Sequence, residues 1–396
     1  MRNEKILSIL ISTLAVIAVI IMILIFAPTV IQSTFNNKPE ADVGFSSDTV
    51  KARVLKVIEE GTTTLGNHEQ PYQVLEVEII EGQYKGTHVF VDYGKQQFRP
   101  SNYSLKAGNK ILVSASINPQ TEKVDAFFVD FVRGGAIICL FLLFAAFSIV
   151  IGGWRGLRSL FGVLISMGII IFFIIPQIMK GNDPVLTSII GAAIFLTISF
   201  YVVYGWRLMT HAATIGMFIS LVLTSLLSLF AVNLTHLTGF GDENVMYLMQ
   251  QSTVPINARG LLLAGMIIGS LGVLDDLIIG QSSAVFQLHG ANSDLSLKDL
   301  FTRAMKIGRD HAAATVNTLV LAYTAGSLPM LLLFSLNKIN YGLLINISFI
   351  SEEIVRTLVG TIGLFISIPI TTAIASFLAH YQHQLGHFGK YLGSQK

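Results

Sequence analysis

Two adjacent carboxylic acids lie in a strongly apolar stretch of the chain. Asp275 and Asp276 follow Gly265, Gly269 and Gly272, and the residues around them are mainly aliphatic. An ionisable side chain inside a membrane is costly and by default indicates a functional site. Because neighbouring helical residues point about 100° apart, only one of the two acids is expected to face such a site squarely.

A second set of polar residues follows in the next apolar segment. Asp310, Asn317 and Thr324 are seven residues apart and therefore share one helix face. Asp275 lies about 24 Å along its helix from Arg259, and Asn317 lies about 12 Å into its own segment from the opposite side. The two side chains are thus expected at comparable depth. We predict an intramembrane polar site between these helices, formed by Asp275, Asp276, Asp310, Asn317 and Thr324.

The alternative interpretation is structural. Asp275 would then end its span at the level of the lipid headgroups. Asn317 would make a hydrogen bond between helices, which contributes only about 0.6–2 kcal/mol. The spacing alone leaves both interpretations open.

The whole chain has the composition of a membrane protein. Of its 396 residues, 52% are hydrophobic and 13% are charged, whereas soluble domains carry about 25% charged residues. The mean hydropathy is +0.66. A soluble enzyme is excluded on this basis, and the net charge of +2 is too small for a nucleic-acid-binding surface. The single cysteine, Cys139, excludes a disulfide framework.

Motifs for catalysis or cofactor binding are missing from the sequence. It has no P-loop, no nucleophile elbow and no H-E-x-x-H sequence. His380, His383 and His387 are spaced to share a helix face, but no acidic or thiol ligand accompanies them. We therefore predict no enzyme activity, no metal site and no cofactor.

Eight segments are long and apolar enough to cross a membrane, which takes about 20 helical residues. They are Ile6–Phe26, Ala136–Ile151, Leu160–Ile178, Val185–Val203, Ala213–Leu234, Leu261–Ile279, Ala312–Leu336 and Val355–Ala379. The first is interpreted as an uncleaved anchor within residues 1–28. The others make a seven-helix domain at 133–380, followed by a tail at 381–396. The loops on the side of both termini hold more Lys and Arg, which predicts a multi-pass cell-membrane protein with both termini in the cytoplasm.

Residues 29–132 form a polar domain between the first and second segments. Apolar and polar side chains alternate there, as in Leu75, Val77 and Ile79 with glutamates between them, which is typical of strands with one buried face. Five short strands are predicted, and an OB-like barrel is the first choice of fold. The domain is expected to be extracytoplasmic. Its 10 basic and 13 acidic residues argue against nucleic acid as a ligand.

Two further charged patterns have structural interpretations. Residues 294–308 have apolar side chains at helical spacing opposite basic ones, which predicts an amphipathic helix on the cytoplasmic membrane surface. Glu352 and Glu353 are expected in the first turn of the last helix, where acids complement the helix dipole. Arg356, one turn on, is expected to pair with either of them.

Six short runs in or next to the last three predicted apolar segments form a recognisable pattern. They are Gly272-Val273-Leu274-Asp275, Gly308-Arg309-Asp310 with Thr315-Val316-Asn317 and Gly326-Ser327-Leu328-Pro329, and Ser351-Glu352-Glu353 with Ile368-Pro369-Ile370-Thr371. Over roughly residues 134–379, the sequence resembles the YibE/F-like family, and in particular its members with a leading soluble domain. The resemblance implies a polytopic bacterial membrane protein and assigns no catalytic or binding residue.

Together these patterns predict an α-helical polytopic membrane bundle of about eight transmembrane helices with an inserted small all-β domain. The favoured function is a permease or transport component that uses the polar site. The alternative is a non-transporting membrane scaffold that presents the β domain to a partner protein. The expected partners are the lipid bilayer and either a second copy or a related YibE/F-like membrane subunit, with no nucleic acid.

Overall fold

The computed structural model describes residues 49–66, 68–99, 103–118, 122–252, 254–336, 341–382, 384 and 392. The predicted anchor, Ile6–Phe26, lies outside these residues and stays a prediction. The chain divides into two compact units, with the division between Phe147 and Ser148. Each unit is described by itself.

The first unit contains a five-stranded antiparallel sheet. The strands are β1 (Thr49–Leu65), β2 (His68–Ile79), β3 (His88–Tyr93), β4 (Lys110–Ile117) and β5 (Val124–Phe131), in the spatial order β3-β2-β1-β4-β5. Leu75, Val77 and Ile79 are fully buried on one face, which confirms the alternation seen in the sequence. Irregular pairing on either side of Lys56 breaks the register of the long strand β1, and such bulges bend a strand.

The two edges of the sheet approach each other without pairing. In the described residues no backbone ladder joins β3 to β5. Instead the ring of Tyr93 lies 4.6 Å from that of Phe128 and 5.9 Å from that of Phe131. Gln97 Nε2 donates a hydrogen bond to the carbonyl of Phe128 at 3.0 Å. Because side chains fill the space between the edge strands, the sheet is strongly curved but open, and the closed barrel expected from the sequence is not formed.

Ten helices follow the sheet in the described part of the chain. α1 (Gly134–Ile169) continues through a π-helical turn at Ile170–Ile174 into α2 (Ile175–Met179). The others are α3 (Pro184–Tyr204), α4 (Leu208–Leu234), α5 (Glu243–Gln251), α6 (Ala258–Ala291), α7 (Leu297–Gly326), α8 (Leu328–Leu336), α9 (Tyr341–Leu344) and α10 (Ser348–His380). Asp183, Asn257 and Ser296 cap α3, α6 and α7 by accepting a backbone N–H three residues on.

Fewer separate spans are seen than the sequence predicted. Among the described residues, five helical runs are long and apolar enough to cross a membrane, or six if α7 and α8, bent by 59°, count as one span. The second and third predicted segments both fall in the 46-residue run Gly134–Met179 because no loop separates them. Gly153 has φ 55° and ψ −135°, so this run consists of two helical arms rather than one rod of about 69 Å. The count of eight stays a prediction.

α6 packs against four other described helices of the bundle, α3, α4, α7 and α10. Its buried side chains join those of the neighbouring helices in one apolar cluster, among them Leu271, Leu274, Leu277 and Ile278. Small residues bring the other helices close: a Cβ at Gly216 of α4 would lie 2.8 Å from Thr371 Oγ1 of α10. Such packing is typical of helices that associate in a membrane.

The predicted surface helix at 294–308 is not a separate element. α7 runs without interruption from Leu297 to Gly326 and includes both the amphipathic stretch and the start of the apolar one. No glycine or proline turn separates the two stretches, so the backbone hydrogen bonds of the helix continue across the change in polarity. Leu300, Ala304 and Gly308 of the amphipathic stretch are buried in the bundle.

Candidate functional site

Asp275 has an unsatisfied polar atom inside the bundle. It lies near the middle of α6 and is half-buried, and its Oδ1 is buried without a hydrogen-bond partner in the described part of the protein. Tyr204, at the end of α3, lies within electrostatic range of both Asp275 and Asp276. An ionised carboxylate in such surroundings is unfavourable unless a proton or a cation neutralises it.

Asp276 points to a different environment. It is exposed, as are Gly265, Gly269, Gly272 and Gly280, which lie on the same side of α6. We call these five residues the glycine face of α6. Among the described residues, nothing lies within 4 Å of the positions that a Cβ would take at Gly265 and Gly272. The glycine face is therefore an open strip that includes Asp276 and runs beside Asp275.

α7 borders the glycine face at two points. The Tyr323 hydroxyl lies 3.5 Å from the Cβ position of Gly269, and His311 Cε1 lies 3.8 Å from that of Gly280. These two contacts bring the polar side chains of Tyr323 and His311 to the glycine face. Beside the aspartates themselves, the polar side chain within electrostatic range is that of Tyr204 of α3.

The other predicted site residues lie elsewhere. Asp310, Asn317 and Thr324 do share one face of α7, but all three are exposed. The buried side of α7 is the one that holds Gly308, Ala312 and Leu319, and Asn317 lies about 160° around the helix from Leu319. In the described residues no hydrogen bond joins Asn317 to either aspartate, so the predicted pairing of acid and amide is not formed. The face of α7 that packs is the one with small side chains, because small side chains let the backbones of neighbouring helices approach each other.

A buried glutamine beside the aspartates escaped the sequence analysis. Gln281 of α6 is 2% exposed, and its Nε2 donates to the carbonyl of Ala304 at 2.9 Å and to Thr372 Oγ1 at 2.8 Å. It therefore ties α6 to α7 and α10, about 9 Å along the helix from Asp275. An amide in an apolar segment is visible in the sequence, but its partners are not.

At the opposite end of the bundle, Glu352 holds a loop. α10 begins at Ser348, so Glu352 and Glu353 lie in its second turn and the expected first-turn position is wrong. Glu352 is 5% exposed and accepts a hydrogen bond from the backbone N–H of Gly241 at 3.1 Å. Arg356 pairs with Glu353 at 2.7 Å. The carboxylate of Glu352 thus fixes the segment between α4 and α6.

A family model described as YibE/F-like protein matches residues 140–381, which is more than half of the chain. The chain belongs to the YibE/F-like family. The part matched by the YibE/F-like model contains Asp275, Gln281 and Glu352 and leaves out the β-sheet. No curated protein and no solved structure matches the chain significantly.

Potential metal ligands are scattered in the described part of this YibE/F-like protein. Among the described residues, no group of three or more His, Cys, Asp and Glu side chains is placed to hold a metal ion. His383 and His387, of the histidine series noted in the sequence, lie outside the described residues.

Proposed function

We propose that this YibE/F-like protein is a transport component in which Asp275 takes up and releases a proton or a cation. The observation that carries the proposal is the buried Oδ1 of Asp275, which has no hydrogen-bond partner in the described residues and lies next to the open glycine face. Unpaired acids of this kind inside membrane bundles usually belong to ion or proton pathways. The site is Asp275 with Asp276, near Tyr204 of α3, and His311 and Tyr323 of α7 lie along the glycine face beside it.

The proposal includes an orientation in the membrane. Both termini are placed in the cytoplasm, as the distribution of Lys and Arg favours. The ends of α4 and the starts of α6 and α10 then face outward, and Asp275 lies in the inner third of the bilayer. The two arms that meet at Gly153 would be two spans, which brings the total to eight with the anchor.

The β domain fits a partly open OB-like barrel. Its strand order, with β1 between β2 and β4 and with β3 and β5 at the approaching edges, supports that assignment, because OB folds are five-stranded and often partly open. We place it outside the cytoplasm. Such a fold does not by itself define a ligand.

Flux measurements on reconstituted protein test the transport proposal. The full chain is placed in liposomes that contain a pH-sensitive dye, and proton, sodium and potassium gradients are imposed in turn. We expect a flux above that of protein-free liposomes, at least a tenfold loss in Asp275→Asn, and a much smaller loss in Asp276→Asn, the matched control. Equal flux in the wild type and in Asp275→Asn would remove the proposal.

The outward face of α7 supports a second proposal, the association of two copies. Asp310, Asn317 and Thr324 are exposed there, and hydrocarbon cannot satisfy their polar groups. A carboxamide both donates and accepts, so Asn317 can pair with its own copy across a twofold axis. In a Cys139→Ser background, Asn317→Cys should form a disulfide-linked dimer, and Ala312→Cys, on the buried face, should not. Absence of the first dimer contradicts this proposal.

The scaffold role is the remaining alternative. The exposed aromatic side chains of the sheet, Phe90 and Phe127, are the surface that such a role would use. Deleting residues 34–130 should then abolish function while Asp275→Asn does not matter, the reverse of what the transport proposal predicts.

A further inference from the structure

A cleft opens between the end of α4 and the start of α6. It encloses about 720 Å³, within the range of about 300–1,000 Å³ that is usual for small-molecule sites. Its polar lining consists of Asn233, His236, Thr238, Asn257 and Arg259, and Phe240 contributes to the apolar wall. The cleft lies at the start of α6, about 24 Å along the helix from Asp275, and is separate from the site proposed above.

The lining carries a positive charge without a negative one. Among the residues that the structure describes, no acidic side chain lines the cleft and Arg259 forms no ion pair. Arg259 Nη2 donates to Asn233 Oδ1, which fixes the guanidinium group. Its Nε is buried and has no hydrogen-bond partner in the part of the chain that the structure describes. A planar guanidinium group that is fixed on the wall of a cleft fits a carboxylate or phosphate group.

The position of Arg259 in its helix also favours an anionic ligand. Asn257 caps α6, so Arg259 lies in the first turn, where the helix dipole is positive and a cation is unfavourable. An anion bound in the cleft would interact favourably with both the guanidinium and the helix end.

The wall of the cleft is held in place before any ligand binds. His236 has φ 54°, an uncommon backbone conformation for a residue with a side chain. Gly239 has φ 83°, and a Cβ there would lie 2.3 Å from the carbonyl of Ala258, so the loop is pressed against the start of α6. Glu352 holds the next turn through Gly241. A fixed wall lowers the entropic cost of binding.

We propose that this cleft binds a small solute that carries a carboxylate or phosphate group, with Arg259 as its ion-pairing residue. Asn233, His236 and Thr238 provide further hydrogen-bonding groups around it. The inference stands whether or not Asp275 takes part in transport, because it rests on different residues around the start of α6.

Calorimetry on the purified full chain tests the proposal, with inorganic phosphate and succinate as separate probes. We expect saturable binding of at least one probe, and the preferred probe distinguishes a phosphate ligand from a carboxylate ligand. Arg259→Gln should lower the affinity at least tenfold, and Arg259→Lys should lower it less, because it keeps the charge. Lys180→Gln, which removes an exposed cation outside the cleft, should bind as the wild type does.

Three results would overturn the assignment: neither probe binds saturably, Arg259→Gln binds as tightly as the wild type, or Lys180→Gln loses as much affinity as Arg259→Gln. If Arg259→Gln does not fold, His236→Ala decides instead. This side chain is exposed and lines the cleft, so its loss should weaken binding at least threefold without a change in melting temperature. Unchanged binding in His236→Ala would then count against the cleft.

Discussion

Asp275 and Asp276 are neighbours in the chain but differ in their surroundings. Asp276 is an exposed member of the glycine face, whereas Asp275 has an oxygen that is buried and unpaired in the described structure. Natural proteins keep such unfavourable groups where activity requires them, and removing the group then raises stability while activity falls. The two acids therefore allow a direct test of which one is kept for function.

Asp275→Asn should raise stability and abolish transport. The neutral amide replaces an uncompensated carboxylate, and this change should raise the free energy of unfolding by about 1–3 kcal/mol. The melting temperature should then rise by a few degrees at this chain length. Asp276→Asn should change neither quantity appreciably. The measurement is thermal unfolding in lipid nanodiscs at alkaline pH, where the Asp275 carboxyl group is ionised. A lower melting temperature in Asp275→Asn would mean that Asp275 is structurally required.

Gln281→Leu should lower stability by about 1–2 kcal/mol. The change leaves the carbonyl of Ala304 and the hydroxyl of Thr372 without the amide that joins them. Gln287→Leu is the matched control, because that glutamine is exposed on the same helix. Equal melting temperatures for the two variants would show that the hydrogen bonds of Gln281 contribute nothing to stability.

At the scale of elements, the packing of α7 depends on which of its faces is small. A Cβ at Gly308 would lie 2.6 Å from Ile368 Cγ2 and 2.9 Å from Gln281 Oε1. The sequence could predict that Asp310, Asn317 and Thr324 share a face, since that follows from their spacing alone. It could not predict which face packs, because this depends on the shape of α6 and α10.

Gly308→Ala should destabilise the bundle by about 1–3 kcal/mol, because the added methyl group overfills a packed contact. Gly326→Ala is the control: it lies at the end of the same helix, and nothing is within 4 Å of its Cβ position. That variant should be neutral or slightly more stable, since alanine favours helices. Chemical unfolding monitored by circular dichroism compares the two, and a neutral Gly308→Ala would contradict the packing described.

Other elements differ in how far their sequences define them. Strands β2, β3 and β4 were predictable because one face of each is buried and the apolar residues alternate. The continuity of α7 was not, because the change from basic to apolar residues near Ala312 resembles the end of a surface helix. The gap between β3 and β5 also depends on the side chains of Tyr93 and Gln97, whose contacts no local pattern contains.

At the scale of the molecule, the β-sheet and the helices from Ser148 onward belong to separate compact units. The family match covers the helices and leaves out the sheet. The proposed transport site and the proposed anion cleft both lie within the matched region, near the middle and at the start of α6 respectively. How the two proposed sites could act together depends on which side of the membrane each of them is closer to.

Cysteine labelling should reveal that orientation. In a Cys139→Ser background, Gln83→Cys in the β domain and Asn244→Cys near α5 should react with a membrane-impermeant maleimide on intact cells. Asp294→Cys, in the turn before α7, should react only after permeabilisation. All three positions are exposed. Labelling of Asp294→Cys on intact cells would reverse the proposed orientation.

Carbodiimide labelling of the purified protein tests the role of Asp275 most directly. Dicyclohexylcarbodiimide modifies carboxyl groups that are protonated in apolar surroundings, and peptide mass spectrometry locates the adduct. We expect modification of Asp275 in lipid nanodiscs at neutral pH, little modification of Asp276, and less adduct as the pH rises. An unmodified Asp275, or equal modification of both acids, would contradict the assignment of Asp275 as the proton- or cation-binding group.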